Sequence, residues 1–230
     1  MNKLMFSGDS VQAAETVIAN FLMNELGAYE RNVSSSVLWL ISGGSAIEVE
    51  CRISQRIANH PKISNLQVML IDERFGAAGH KDSNAEQLRQ KGFALPFLDV
   101  LQTCTSLNDV KKLYEKNLVN CFEDANIVIA CLGLGADGHT AGVLPGSTAA
   151  KDLIAPVVAY EWQDFTRITA GLNYISQIDE AYVFAYGDNK RDALNRLQAN
   201  TEPLEWLPAK VLYEISETTV YNDTISKKET

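Results

Sequence analysis

Apolar positions along this chain switch repeatedly between helical and strand periods. From Ser10, apolar residues at Ala14, Val17, Ile18, Phe21 and Leu22 recur at helical spacing, with Ser10 placed to cap the first turn and Gly27 to end it. Val37–Ile41 is an unbroken apolar run of strand length, the pattern of a strand buried on both faces. A Ser-Gly-Gly-Ser turn follows and opens a helix through about Ala58. Residues 66–71 read as a second strand, expected near the centre of the sheet and closing on Asp72-Glu73-Arg74. A polar loop then leads to Asp82-Ser83-Asn84, where another helix starts. Residues 99–104 suggest a short strand, 108–122 a helix and 127–132 a third clear strand. Beyond these, 155–159 and Thr166–Ala170 read as short strands, and 181–186 as an apolar strand ending at Gly187. Asp188 can cap a helix through about Leu197. Pro203 and Pro208 mark a turn before a last strand over 218–221.

Alternating strands and helices of this length predict an α/β fold with a mainly parallel sheet and right-handed connections. No repeat or linker interrupts residues 1–230, so the reading is one domain, a Rossmann-like three-layer fold. The polar motifs share one position in that pattern. Ser42–Ser45, Asp72–Arg74, 133–139 and 187–190 each follow the C-terminal end of a predicted strand, the edge where open α/β sheets bind ligands. Four such loops suggest one site.

The 133–139 loop is the most informative of them. Three glycines, an aspartate and a histidine fall within seven residues, Gly133-Leu134-Gly135-Ala136-Asp137-Gly138-His139. Glycines let backbone amides crowd towards an anion, and an adjacent Asp and His can move a proton. Gly133, Gly135 and Gly138 also satisfy G-x-G-x-x-G, yet the context disfavours a dinucleotide site. Asp137 would sit where a pyrophosphate belongs, and Pro145 leaves room for little helix.

Composition narrows the classes. The chain carries a formal charge of −9 and no basic face, which argues against nucleic acid. An anionic substrate would need a local cluster of cations. Cys51, Cys104, Cys121 and Cys131 are widely spaced and form no C-x-x-C pair, so a structural zinc site is not expected. No apolar stretch reaches the length of a signal sequence or a membrane span. The expectation is a reduced cytoplasmic protein with no membrane partner.

Each candidate residue has a bland alternative. The Ser42-Gly43-Gly44-Ser45 turn suits a phosphate at a helix N-terminus, but lacks the P-loop lysine and reads equally as a capped turn. Arg167 and Lys190 can grip a phosphate, or be solvated surface charge. Asp72-Glu73-Arg74 can serve a site or hold a loop through ion pairs. His139 can act as a base near neutral pH, with a carboxylate fixing its tautomer, or cap its loop. His60 and His80 lack the Asp-Gly-His-Thr setting.

Taken together and in order, these motifs resemble the glucosamine-6-phosphate isomerase/6-phosphogluconolactonase family over most of the chain. The resemblance rests on Ser42–Ser45, Asp72–Arg74 with Asp82-Ser83-Asn84, the run from Gly133 to Ala141 leading into Leu144-Pro145-Gly146, Arg167-Ile168-Thr169 and 187–190. Within the family, the deaminases carry Asn-Glu before the Pro-Gly, where this chain has Val143-Leu144, and Asp-Glu-Tyr where it has Asp72-Glu73-Arg74. Both differences favour the lactonase side. Departures at Ala46-Ile47, Gly76-Ala77 and Gly142-Val143 alter loop stiffness or packing and remove no charge. The resemblance implies hydrolysis of 6-phospho-D-glucono-1,5-lactone to 6-phosphogluconate in the oxidative pentose phosphate pathway, without metal or organic cofactor. It implies His139 as general base, Asp137 as its orienting partner, and loop amides with Arg74 at the developing negative charge. Gly43, Gly44, Ser45, Arg167 and Lys190 would hold the phosphate, with Ser42, Asp72, Gly133, Gly135 and Gly138 lining the site. A sugar-phosphate deaminase or isomerase, or a non-catalytic sugar-phosphate sensor, stays open at this point.

Overall fold

All five side chains of β2 (Val37–Ile41) are buried, because this strand lies inside a sheet covered on both faces. Leu38 and Leu40 point into one apolar cluster, and Val37, Trp39 and Ile41 into the other. The computed structural model of the chain describes residues 3–28, 36–102 and 106–225. Six strands form the main sheet: β1 (Lys3–Ser7), β2, β3 (Leu66–Leu70), β5 (Ile127–Gly133), β8 (Glu180–Ala185) and β9 (Glu217–Asn222). Their order is β1-β9-β8-β5-β2-β3, with every neighbouring pair parallel. A smaller antiparallel sheet joins β4 (Asp72–Arg74), β7 (Thr166–Ala170) and β6 (Val157–Glu161) in the order β4-β7-β6.

One face of the main sheet is covered by α1 (Val11–Ala28), α2 (Ile47–Ile57) and α3 (Asn84–Gln90). The other is covered by α4 (Leu107–Asp124), α5 (Thr148–Lys151), α6 (Leu172–Ile175), α7 (Arg191–Ala199) and the small sheet. This is the expected three-layer α/β arrangement. Side-chain caps start several helices: Ser10 Oγ accepts from the Ala13 amide, Ser83 Oγ from Glu86 and Ser106 Oγ from Asp109. No helix among the described residues is long and apolar enough to cross a membrane.

Several expectations are corrected. β3 is an edge strand of the main sheet, not a central one; among the described residues, only a bridge from Met69 to Leu98 lies beyond it. Asp72–Arg74 does not close that strand but leaves the sheet and pairs with β7. Residues 100–102 form a 3₁₀ turn in place of a strand, and 103–105 lie outside the described residues. Asp188 makes no side-chain cap; it opens a 3₁₀ turn and pairs with Arg191. Val17 is 51% exposed, because α1 buries the row Ala14, Ile18, Leu22 and Leu26, which leaves Val17 off the stripe.

One titratable pair bears on stability. Glu180 and Glu217 face each other across the first rung of β8 and β9. Burial, and then the charges of Glu217 and Asp179, push the Glu180 carboxyl up to about 7 against the pull of its hydrogen bond with Tyr182. A carboxyl with a raised native pKa contributes stability that is fully present below the unfolded value of about 4.3 and is lost as pH rises through the folded value. Glu180→Gln is therefore expected to raise Tm near neutral pH and above, and to change it little at about pH 4. Thermal melts across that range check this; an equal shift at every pH would show that titration is not the cause.

Candidate active site

The strand order sets β8, β5, β2 and β3 side by side, so the loops at their C-terminal ends converge. They enclose a pocket of about 150 Å³. Of the residues expected at a site, Ser42, Gly43, Gly44, Ser45, Asp72, Arg74, Gly133, Gly135, His139, Arg167 and Lys190 line it. Asp137 and Gly138 do not: Asp137 stands beside His139, and Gly138 packs against Leu207.

The histidine loop is fastened by its own backbone. The Gly135 amide donates to the His139 carbonyl at 2.8 Å, and the Gly138 amide to the Gly135 carbonyl at 3.0 Å. Thr140 Oγ1 donates to the Gly133 carbonyl, and Arg196 Nη1 on α7 donates to the Asp137 carbonyl. Gly135 is required here, since any Cβ would overlap the His139 ring. His139 Nδ1 lies 2.6 Å from Asp137 Oδ1, which also accepts from the His139 amide. Partial burial works to raise the Asp137 carboxyl, but the His139 hydrogen bonds and charge outweigh it and hold it at about 2. An ionised carboxylate only accepts, so Nδ1 carries a proton, and in the neutral imidazole it is Nε2 that keeps the lone pair. Nε2 has no hydrogen-bond partner among the described residues.

The Asp-Glu-Arg triplet divides by the two-residue period of a strand. Glu73 turns away from the pocket and is fully buried. It accepts from the Arg74, Asn84 and Ala85 amides and from Ser83 Oγ at 2.6–3.0 Å, closing the N-terminus of α3. Asp72 and Arg74 share the opposite face. Across the ladder, Asp72 meets Thr169 and Arg74 meets Arg167. Two guanidinium residues thus share one rung, an arrangement that repels unless an anion joins it. Their guanidinium carbons lie 4.9 and 5.6 Å from the Phe165 ring centre. Arg167 Nη2 pairs with Asp164 at 2.8 Å, and Arg74 Nη1 donates to the Asp82 carbonyl. The Nε atoms of both are buried without a partner among the described residues. Burial raises the Asp72 carboxyl above its ordinary range, against the charges of Arg167, Arg74 and His139.

On the far side, the Ser42 amide is tied to the buried Glu50 carboxylate at 2.8 Å. Gly43 and Gly44 amides have no protein acceptor among the described residues. Lys190 ends the 3₁₀ turn after β8; burial lowers its pKa while the Asp137 charge opposes this.

Sequence reasoning missed Asn84, Leu134, Ala141 and Gly142 as pocket residues. Asn84 Nδ2 donates to the Asp72 carbonyl and carboxylate. Its place just after the Ser83 cap was the available signal. Arg196 gave none, since its partner lies across the fold. Among the described residues, no group of three His, Cys, Asp or Glu side chains is arranged to hold a metal ion. Cys51, Cys121 and Cys131 are free thiols, and burial pushes Cys51 up to about 11; Cys104 lies outside the described residues.

Residues 9–221 match the family described as glucosamine-6-phosphate isomerases/6-phosphogluconolactonase. A probable 6-phosphogluconolactonase of Dictyostelium discoideum is 25% identical, with 96% of this chain and 94% of that protein aligned. A 6-phosphogluconolactonase of Xylella fastidiosa is 28% identical over 88% of each chain. A glucosamine-6-phosphate deaminase of Staphylococcus haemolyticus is 27% identical over 85% of this chain and 88% of its own. In fold, the crystal structure of a 6-phosphogluconolactonase from Shewanella baltica superposes with a TM-score of 0.76 over 96% of this chain and 97% of that one, at 20% identity.

Proposed function

The chain belongs to the glucosamine-6-phosphate isomerase/6-phosphogluconolactonase family, and on that premise we propose that it hydrolyses 6-phospho-D-glucono-1,5-lactone to 6-phosphogluconate. The observation that carries the reading is the Asp137–His139 pair beside a pocket that also holds Arg74, Arg167 and Lys190. A lactone is an ester, so its hydrolysis needs an activated water and a place for the oxyanion. His139 Nε2 takes a proton from water as the water oxygen attacks C1. The carbonyl electron pair moves to oxygen. When the intermediate collapses, the bond from C1 to the ring oxygen breaks, and the imidazolium returns its proton to that leaving oxygen. Asp137 fixes the ring and supports its positive charge.

The phosphate gives the substrate its grip. Arg167 and Lys190, with the free amides at Gly43 and Gly44 and the Ser45 turn, form its cradle. Arg74 shares a rung with Arg167 and so belongs to the same anion-binding side. Asp72, which lines the same pocket and feels the charges of both arginines and of His139, is suited to accept hydrogen bonds from sugar hydroxyls. Binding at the remote phosphate positions the carbonyl against His139.

Some relatives carry the deaminase name, so that chemistry is the second reading. Against it stand Val143 and Leu144, both buried and apolar, at the places where the resemblance puts the deaminase Asn-Glu. The lactonase reading expects kcat/KM for the 6-phospholactone to exceed that for glucono-1,5-lactone by about 100-fold or more, from charge-assisted hydrogen bonds alone. Initial rates on both lactones, corrected for spontaneous opening, test it. Equal values would remove the phosphate from the account.

A further inference from the structure

Placing Arg74 beside Arg167 leaves the carbonyl end of the substrate without an evident oxyanion partner, and the loop after His139 supplies one. Thr140–Val143 is a tight turn closed by the Val143 amide donating to the Thr140 carbonyl at 2.8 Å. Its two central residues have φ of 48° at Ala141 and 68° at Gly142. This is a mirror-image turn, in which the two central N–H groups point the same way. For Ala141 the left-handed conformation is unfavourable, because it carries a Cβ, and such residues cluster where a site demands a fixed backbone. At Gly142 a Cβ would come within 2.7 Å of the Asp72 side chain, so glycine alone fits without a shift.

The carbonyls of Thr140, Ala141 and Gly142 each accept a hydrogen bond, that of Thr140 from the Val143 amide. The Thr169 hydroxyl donates to the Ala141 carbonyl, and the Tyr160 hydroxyl donates to the Gly142 carbonyl at 2.6 Å. In a trans peptide the N–H points opposite to the carbonyl of the same unit. Thr169 on β7 therefore turns the Gly142 N–H away from the small sheet, and the Val143–Thr140 bond turns the Ala141 N–H away from Val143 and out of the turn. Neither amide has an acceptor among the described residues. Both residues are buried and both line the pocket that His139 lines. Buried backbone donors without partners are rare, and here two adjacent ones stand two and three residues from the base.

We propose that the backbone N–H groups of Ala141 and Gly142 form the oxyanion hole of this protein, and that Thr169 is the residue that positions it. The inference rests on the lactone-hydrolase reading. The water attacks C1, the carbonyl oxygen takes up the negative charge, and the two N–H groups donate to it until the ring C–O bond breaks.

Backbone donors are tested by replacing the amide with an ester. Lactic acid in place of Ala141, and glycolic acid in place of Gly142, each delete one N–H and keep the side chain. Each is expected to lower kcat by about 10²–10³-fold, as for loss of one oxyanion donor, with KM changed by less than about threefold. The ester at Val143 deletes the bond that closes the turn but removes neither donor, so it should cost no more than the loss of the Thr169 hydroxyl, about tenfold in kcat. Thr169→Val should lower kcat by about tenfold, and Thr169→Ser, which keeps the hydroxyl, should restore most of it. Parent-like kcat in both ester variants at 141 and 142 would overturn the proposal, as would equal loss from all three esters. An unsubstituted protein with no lactone turnover would instead overturn the underlying reading, and the hole with it.

Discussion

Replacing His139 by alanine is expected to lower kcat on the 6-phospholactone by about 10²–10⁴-fold while KM moves far less. The variant keeps the phosphate cradle and the loop backbone, since the bonds that fasten the loop are backbone groups together with Thr140 and Arg196. What it removes is the unpaired Nε2. Asp137→Asn should also fall steeply. An amide can present its NH₂ to Nδ1 and so favour the tautomer with the proton on Nε2, where it is useless as a base. The Asp137 carboxyl sits at about 2. A depressed carboxyl gives up its interaction only as pH falls towards that value, so Asp137 stays ionised throughout the working range. Its loss of charge therefore cannot produce a fall in rate at mildly acidic pH. Single-turnover and steady-state rates, with the uncatalysed opening subtracted, check these variants. A folded His139→Ala protein with nearly full kcat would refute the assignment of the base.

The second large effect concerns the two arginines on one rung. Arg167→Ala and Arg74→Ala are each expected to lower kcat/KM on the 6-phospholactone by about 10- to 100-fold, the worth of roughly 1.5–3 kcal/mol in charge-assisted hydrogen bonds. Lys190→Ala should behave similarly. The loss should fall mainly on KM if the phosphate is held alike in the ground and transition states. On glucono-1,5-lactone the same substitutions should matter little. The double variant is not expected to be additive, because the arginines face each other and share the Phe165 ring. Inorganic phosphate should raise the Tm of the parent, and less so that of either variant. Equal losses on both lactones would assign these side chains to the fold or the chemistry instead.

The parts of this site that were legible in the sequence are those made by local chemistry. Ser42–Ser45, the 133–139 loop and Lys190 each follow a strand whose apolar run is plain, and parallel strands bring such ends to one edge. The sheet's edges were less legible. β3 carries the same apolar signature as a central strand, because helices cover both its faces whatever its position in the order. The triplet Asp72-Glu73-Arg74 looked like one charged unit. Its division into a buried helix cap and two pocket residues depends on pairing with Thr166–Ala170, a contact far along the chain. The left-handed backbone at Ala141 had no signal at all, since alanine is the residue least suggestive of that conformation. Asp137, read as the orienting partner of His139, stands 2.6 Å from its Nδ1 although it does not itself line the pocket.

The central claim is tested most directly by giving one preparation two substrates side by side. Freshly made 6-phospho-D-glucono-1,5-lactone and glucosamine 6-phosphate are incubated with the protein, and 6-phosphogluconate and ammonia are measured as functions of time. The expected result is protein-dependent formation of 6-phosphogluconate well above the spontaneous rate, abolished in His139→Ala, with no release of ammonia. Ammonia from glucosamine 6-phosphate, or lactone opening no faster than in buffer, would contradict it.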